Sequence, residues 1–74
     1  MTRLPTVSAR KLIQALHKGG FVDDGQKGSH FFLWHPGKRI TTCVPMHSGD
    51  LKRSLVRKIL HEAGLSEEEF RKFL

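Results

Sequence analysis

Only one cysteine, Cys43, occurs in the sequence, so no internal disulfide can form. It lies in an apolar, strand-like run and reads as a small core residue in a reducing compartment rather than as a nucleophile. No second Cys/His pair accompanies Cys43 and His47, which stand four residues apart, so the spacing of a structural zinc site is missing. Long apolar stretches are missing too. The start, Met1-Thr2-Arg3-Leu4-Pro5, offers neither a signal-peptide core nor a membrane span, and the expectation is a cytoplasmic protein. Acidic side chains are scarce over most of the chain. Residues 1–61 carry eleven Lys and Arg against three Asp, a balance of +8, whereas residues 62–74 carry two basic and four acidic residues, a balance of −2. A body this basic attracts phosphate-bearing partners, the bland alternative being a solvated surface kept soluble by its charge.

Length sets a further bound. Seventy-four residues make one domain, and a chain of that size removes only about 60% of its unfolded surface from water. Ligand cavities occupy about 300–1,000 Å³, which such a core rarely accommodates. Function is therefore expected on a face or in a shallow groove.

Repeats, low-complexity tracts and linkers are absent, and the elements follow from periodicity. Ser8 is an N-cap, with Val7 and Leu12 as a hydrophobic staple. Ala9, Leu12, Ile13 and Leu16 then recur at helical spacing up to Gly19-Gly20. Arg10, Lys11, Gln14 and Lys18 fall off that stripe and give the first helix a basic outer face. Phe21–Gln26 is a weak strand because Asp23-Asp24-Gly25 interrupts it. A turn at Lys27-Gly28-Ser29 leads into His30-Phe31-Phe32-Leu33-Trp34-His35, the most strand-prone run in the chain. Pro36-Gly37-Lys38 has turn chemistry. The following run alternates, with Ile40, Thr42 and Val44 on one side and Arg39, Thr41 and Cys43 on the other. Asp50 is expected to cap a second helix on Leu51, Leu55, Ile59, Leu60 and Ala63, ended by Gly64. Ser66 with Glu69 forms a capping box and Leu65 with Phe70 a staple for a short last helix packed through Phe70, Phe73 and Leu74. The order predicts an α+β fold, a three-stranded antiparallel sheet with its helices on one face.

Five histidines are the candidate chemistry. His17 and His61 fall among basic helical residues and read as solvent-facing. His35 precedes a Pro-Gly turn and is expected to help hold it. His47, in the polar loop between Pro45 and Gly49, is a candidate for a catalytic or RNA contact. His30 stands apart because it follows Lys27-Gly28-Ser29. Gly28 lets a phosphate approach the backbone, Ser29 supplies a hydroxyl donor and Lys27 a charge. An ordinary imidazole titrates near pH 6.5, and RNA carries its own nucleophile in the 2′-OH. A histidine that moves one proton then contributes about 10²–10⁴-fold to cleavage. The bland alternative is a strand-initiating turn with an exposed histidine.

Taken in order, these pieces resemble a HicA-type toxin, the mRNA-interferase component of HicA/HicB toxin–antitoxin modules. The resemblance runs over essentially the whole of 1–74 as a single HicA-like domain. It rests on Gly20-Phe21, Lys27-Gly28-Ser29-His30, His35-Pro36, Thr42-Cys43-Val44-Pro45-Met46-His47, Ile59 to Ser66, and Glu69-Phe70. It implies a double-stranded-RNA-binding-like α-β-β-β-α fold, endoribonuclease activity on mRNA, no metal or other cofactor, and neutralisation by a HicB-type antitoxin protein. It places the catalytic histidine at His30, with Gly28 and Ser29 as its turn; a phosphate contact from Lys27 follows from local chemistry. RNA-contacting residues are thus expected at Lys27, Gly28, Ser29 and His47. Two departures from the pattern stand out. Arg53-Ser54 replace a Gly-Thr pair before Leu55, putting a positive charge near a helix start, and Trp34 stands where relatives are often basic or polar. Alternation puts His30, Phe32 and Trp34 on one face of their strand and Phe31, Leu33 and His35 on the other. Both faces are apolar; core burial is expected for Phe32, while Trp34 stays open between core and surface. A non-catalytic RNA-binding module using the same basic face is the rival reading.

Overall fold

The computed structural model describes residues 4–74; of the N-terminal stretch read for a targeting signal, residues 1–3 lie outside them. The chain runs α1 (Ala9–Lys18), β1 (Val22–Lys27), β2 (His30–His35), β3 (Ile40–Pro45), α2 (Arg53–Ala63) and α3 (Glu67–Phe73). The strands form an antiparallel sheet in the order β1-β2-β3. This is the α+β, double-stranded-RNA-binding-like arrangement with a short C-terminal helix.

Local chemistry explains most boundaries. The Ser8 side chain accepts from the Lys11 backbone N–H at 3.2 Å and so satisfies a donor that the start of α1 would leave orphaned. In α3 the reciprocal box is complete: Ser66 Oγ accepts from the Glu69 N–H at 3.0 Å, and the Glu69 carboxylate accepts from the Ser66 N–H at 3.1 Å. The Ser66 N–H first, and the Ser66 hydroxyl donating to the same carboxylate oxygen at 3.2 Å second, hold the Glu69 carboxyl below its ordinary pKa. Gly64, at φ 70°, ends α2 in the left-handed region that a side chain would strain.

The start of α2 differs from expectation. Asp50 does not cap it; Lys52 occupies the cap position without a side-chain bond, and Asp50 pairs with Ser8 in an isolated bridge. Leu51 lies before the helix and is buried, its N–H donating to the Val7 carbonyl at 2.8 Å. Arg53 Nε donates to the Leu4 carbonyl at 2.7 Å. The charge disfavoured at a helix start is thus used to fasten residues 4–8 to the β3–α2 connection. Leu74, expected in the core, is 46% exposed, while Phe70 is fully buried.

Leu12, Leu16, Leu33, Val44, Val56, Ile59, Leu60 and Phe70 form the centre of the core between the helices and one face of the sheet. Each such side chain contributes about 1.5–3 kcal/mol when taken out of water. Every residue of β1 is exposed, so the β1 edge extends beyond the helical layer.

Candidate functional site

One end of the sheet gathers the residues singled out above. Lys27 and His30 are cross-strand partners that close the β1–β2 hairpin over Gly28 and Ser29. Gly28 has φ 59°, as the first central residue of a II′ hairpin turn requires. A Cβ built there meets no heavy atom within 4 Å, so the backbone at this turn is open to an approaching group. The Gln26 amide donates to the Gly28 carbonyl at 3.3 Å and steadies the turn.

On its other side, His30 is paired with Pro45 of β3. The Ser29 carbonyl accepts from the Met46 N–H at 2.6 Å, which extends this contact past the end of the strand. His47, the next residue, is exposed, and its Nδ1 lies 3.1 Å from the Ser48 carbonyl. A carbonyl only accepts, so this contact favours the tautomer with the proton on Nδ1 and the lone pair on Nε2. Lys27, Gly28, Ser29, His30 and the His47 loop therefore share one end of the sheet, and all five residues are exposed. This proximity was countable from the sequence. A turn at residues 36–39 that closes His35 on Ile40 puts His30 opposite Pro45 by register alone.

The other three histidines stand elsewhere. His35 accepts from the Lys38 N–H through Nδ1 at 3.0 Å and packs edge-on against Phe21, with ring centroids 5.1 Å apart. It braces the β2–β3 turn, as its place before Pro36-Gly37 predicts. His17 Nε2 lies 2.5 Å from Asp23 Oδ1 instead of facing solvent alone. His61 is exposed in the last turn of α2. Among the described residues, no three His, Cys, Asp or Glu side chains gather in a metal-binding group.

The two faces of β2 resolve what alternation left ambiguous. Leu33 pairs with Thr42, and Phe31 with Val44, on the side covered by helices. Phe32, paired with Cys43, and Trp34, paired with Thr41 and with Val22, lie on the opposite side. Phe32 and Trp34 are half-buried and are not packed against the core cluster. Two expectations are thereby corrected: neither Phe32 nor Cys43 is a core residue. The helices can cover one face only, and Leu33 and Val44, which alternate with them, take it. The Cys43 thiol is nevertheless pushed above its ordinary pKa, by partial burial first and by the nearby Glu62 carboxylate second.

Exposed positive charge also lines the helical layer. Arg10, Lys11 and Lys18 on α1, and Lys52, Arg57 and Lys58 at α2, are exposed. Arg57 is turned towards the acidic α3, where its Nε lies 3.2 Å from Glu67 Oε2. Among the described residues no enclosed pocket is present, and no helix is long and apolar enough to cross a membrane.

No curated protein matches the chain. The family model described as HicA toxin of bacterial toxin-antitoxin matches residues 9–65 of the 74, from the start of α1 through the end of α2 and including the whole sheet. With more than half of its length matched, and with the helix–sheet–helix order that the resemblance implied, this chain belongs to the HicA toxin family of bacterial toxin–antitoxin systems.

Proposed function

We propose that residues 1–74 act as one HicA-like domain in the cytoplasm, a metal-independent endoribonuclease that cleaves mRNA with His30 as general acid/base. A HicB-type antitoxin protein neutralises it. The observation that carries the reading is the hairpin end of the sheet, where an exposed His30 faces Lys27 across a glycine turn with open backbone.

In this reading the scissile phosphate sits against Gly28 and Ser29, and Lys27 offsets the charge that grows on its non-bridging oxygens. An imidazole removes the proton of the adjacent 2′-OH. The 2′-oxygen attacks phosphorus, the bond to the 5′-oxygen breaks, and that oxygen takes up a proton as it leaves. The products are a 2′,3′-cyclic phosphate and a 5′-hydroxyl. Two proton transfers at opposite sides of phosphorus call for a second group. His47, two residues past the cross-strand partner of His30, is our candidate for it, with Lys27 or water as the alternatives. The roles of Lys27, Gly28 and Ser29 are phosphate binding; that of His47 is RNA contact and the second transfer.

The test is cleavage of labelled single-stranded RNA in EDTA, wild type against His30→Ala. Wild-type cleavage that falls about 10²–10⁴-fold in the variant, with cyclic-phosphate ends and retained RNA binding, supports the assignment. Equal cleavage by both removes His30 from the mechanism. Binding with a steep salt dependence but no cleavage by either leaves the rival reading, an RNA-binding module on the same basic surface.

A further inference from the structure

The helix-free face of the sheet continues from the proposed catalytic end. The register puts three rows on it: Lys27, His30 and Pro45 in the first, Phe32 and Cys43 in the second, and Val22, Trp34 and Thr41 in the third. His30, Phe32 and Trp34 thus follow one another along a single strand, each about 7 Å from the next. That repeat is close to the span of one nucleotide in an extended, unstacked strand. Val22 is 48% exposed and the two aromatic rings are half-buried, so the face is apolar, open and without a covering element among the described residues.

Charge on this face is positive in the row of His30, while in the row of Phe32 Asp24 stands opposite the ring and Glu62 acts on Cys43. Lys27 stands in the row of His30. Of the two acidic residues in the strands, Asp23 is turned to the helical side, where it meets His17. Asp24 lies in the bulge between Asp23 and Gln26, opposite Phe32. Aromatic side chains accept any base through its π-face, whereas a paired helix keeps its bases stacked on one another and out of reach.

We propose that Phe32 and Trp34 form a stacking track for unpaired bases, which leads single-stranded RNA along β2 and delivers the next phosphate to His30. The proposal rests on the ribonuclease reading for the role of His30, but the track itself is a binding property that can be measured separately. It makes the enzyme selective for unpaired RNA, and it assigns Trp34 a contact with substrate that its half-buried, core-free position otherwise lacks.

The chain has one tryptophan and no tyrosine, so its emission reports Trp34. The probe is a short single-stranded 2′-O-methyl oligonucleotide, whose blocked 2′-oxygen cannot attack phosphorus, compared with the same strand annealed to its complement. The single strand is expected to quench Trp34 saturably, and the duplex is not. Phe32→Leu and Trp34→Leu, which keep apolar bulk on a face outside the core, are each expected to weaken single-strand binding about 10-fold by anisotropy. On a cleavable RNA, Phe32→Leu is expected to raise KM by a similar factor with kcat retained. Binding without any change in Trp34 emission, and with affinity unchanged in both variants, overturns the track and puts RNA on the helical side. Variants that leave RNA binding intact but abolish binding of an antitoxin protein also overturn it, making this a protein-docking face. The two readings fail separately. Loss of cleavage in His30→Ala with inert Phe32 and Trp34 variants sinks only the track, and quenching by single strands in a protein that never cleaves sinks only the nuclease.

Discussion

A Cβ placed on Gly20 would come within 2.7 Å of Nε2 of His35, across the gap between the end of α1 and the β2–β3 turn. Gly20 also has φ 101°, which a side chain adopts only under strain. The His35 ring cannot swing aside freely, because it packs on Phe21 and accepts from Lys38 N–H. Backbone strain together with a broken hydrogen bond should make Gly20→Ala cost about 2–3 kcal/mol in urea unfolding. Gly28→Ala meets nothing within 4 Å, so it should cost only the conformational penalty of about 1–2 kcal/mol. If the two variants are equally stable, His35 is not the constraint. A double variant with His35→Ala should recover part of the Gly20→Ala loss, since neighbours that clash are not additive.

Thr42 is buried opposite Leu33, and its hydroxyl has no hydrogen-bond partner among the described residues. Thr42→Val keeps the shape and removes the unsatisfied group. The expected gain is about 1 kcal/mol, which corresponds to a rise in Tm of about 4–8 °C for a domain of this size. A fall in Tm would mean that the hydroxyl is bonded in solution.

Arg53 balances two opposed effects. Its bond to the Leu4 carbonyl involves a charged donor and is worth about 1.5–3 kcal/mol, while its charge at a helix start costs about 0.3–1 kcal/mol. The bond should win, so Arg53→Gln is expected to destabilise by about 1 kcal/mol in chemical denaturation. It should also speed hydrogen exchange at Leu51, whose N–H is held by Val7 in the same arm. A more stable variant would show that the dipole dominates.

The Cys43 thiol is raised by desolvation first and by Glu62 second. Its alkylation by iodoacetamide near pH 8 should therefore be slower in the folded protein than in urea, because less thiolate is present. Glu62→Gln should speed it, by less than unfolding does. The sign for stability follows from proton binding. The folded state holds the thiol proton more tightly, so this contribution is complete below the ordinary thiol pKa and fades as pH rises through the raised one. Folded and unfolded rates that coincide would remove the burial effect.

The proposed site was legible in part. Lys27-Gly28-Ser29-His30 announces a turn because only glycine enters the left-handed region without strain, and Gly28 does so at φ 59°. The cap at Ser8 and the box of Ser66 with Glu69 are equally local, built from bonds between residues three apart. Asp50 shows where local chemistry misleads. Its side chain suits a cap, but Leu51 is drawn into the core and the chain turns helical only at Arg53.

The sequence by itself therefore determined the order and kind of the elements, the glycine turn and the identity of the histidine beside it. All of these depend on sterics and hydrogen bonds within a few residues. Only the tertiary structure decided which side of β2 the helices cover, and so whether Phe32 and Trp34 are core or surface. In His30-Phe31-Phe32-Leu33-Trp34-His35 both faces are apolar, and nothing local distinguishes them. The choice is made by distant partners, because the side chains of α1 and α2 close over Leu33 and Val44 and leave the other face without a layer.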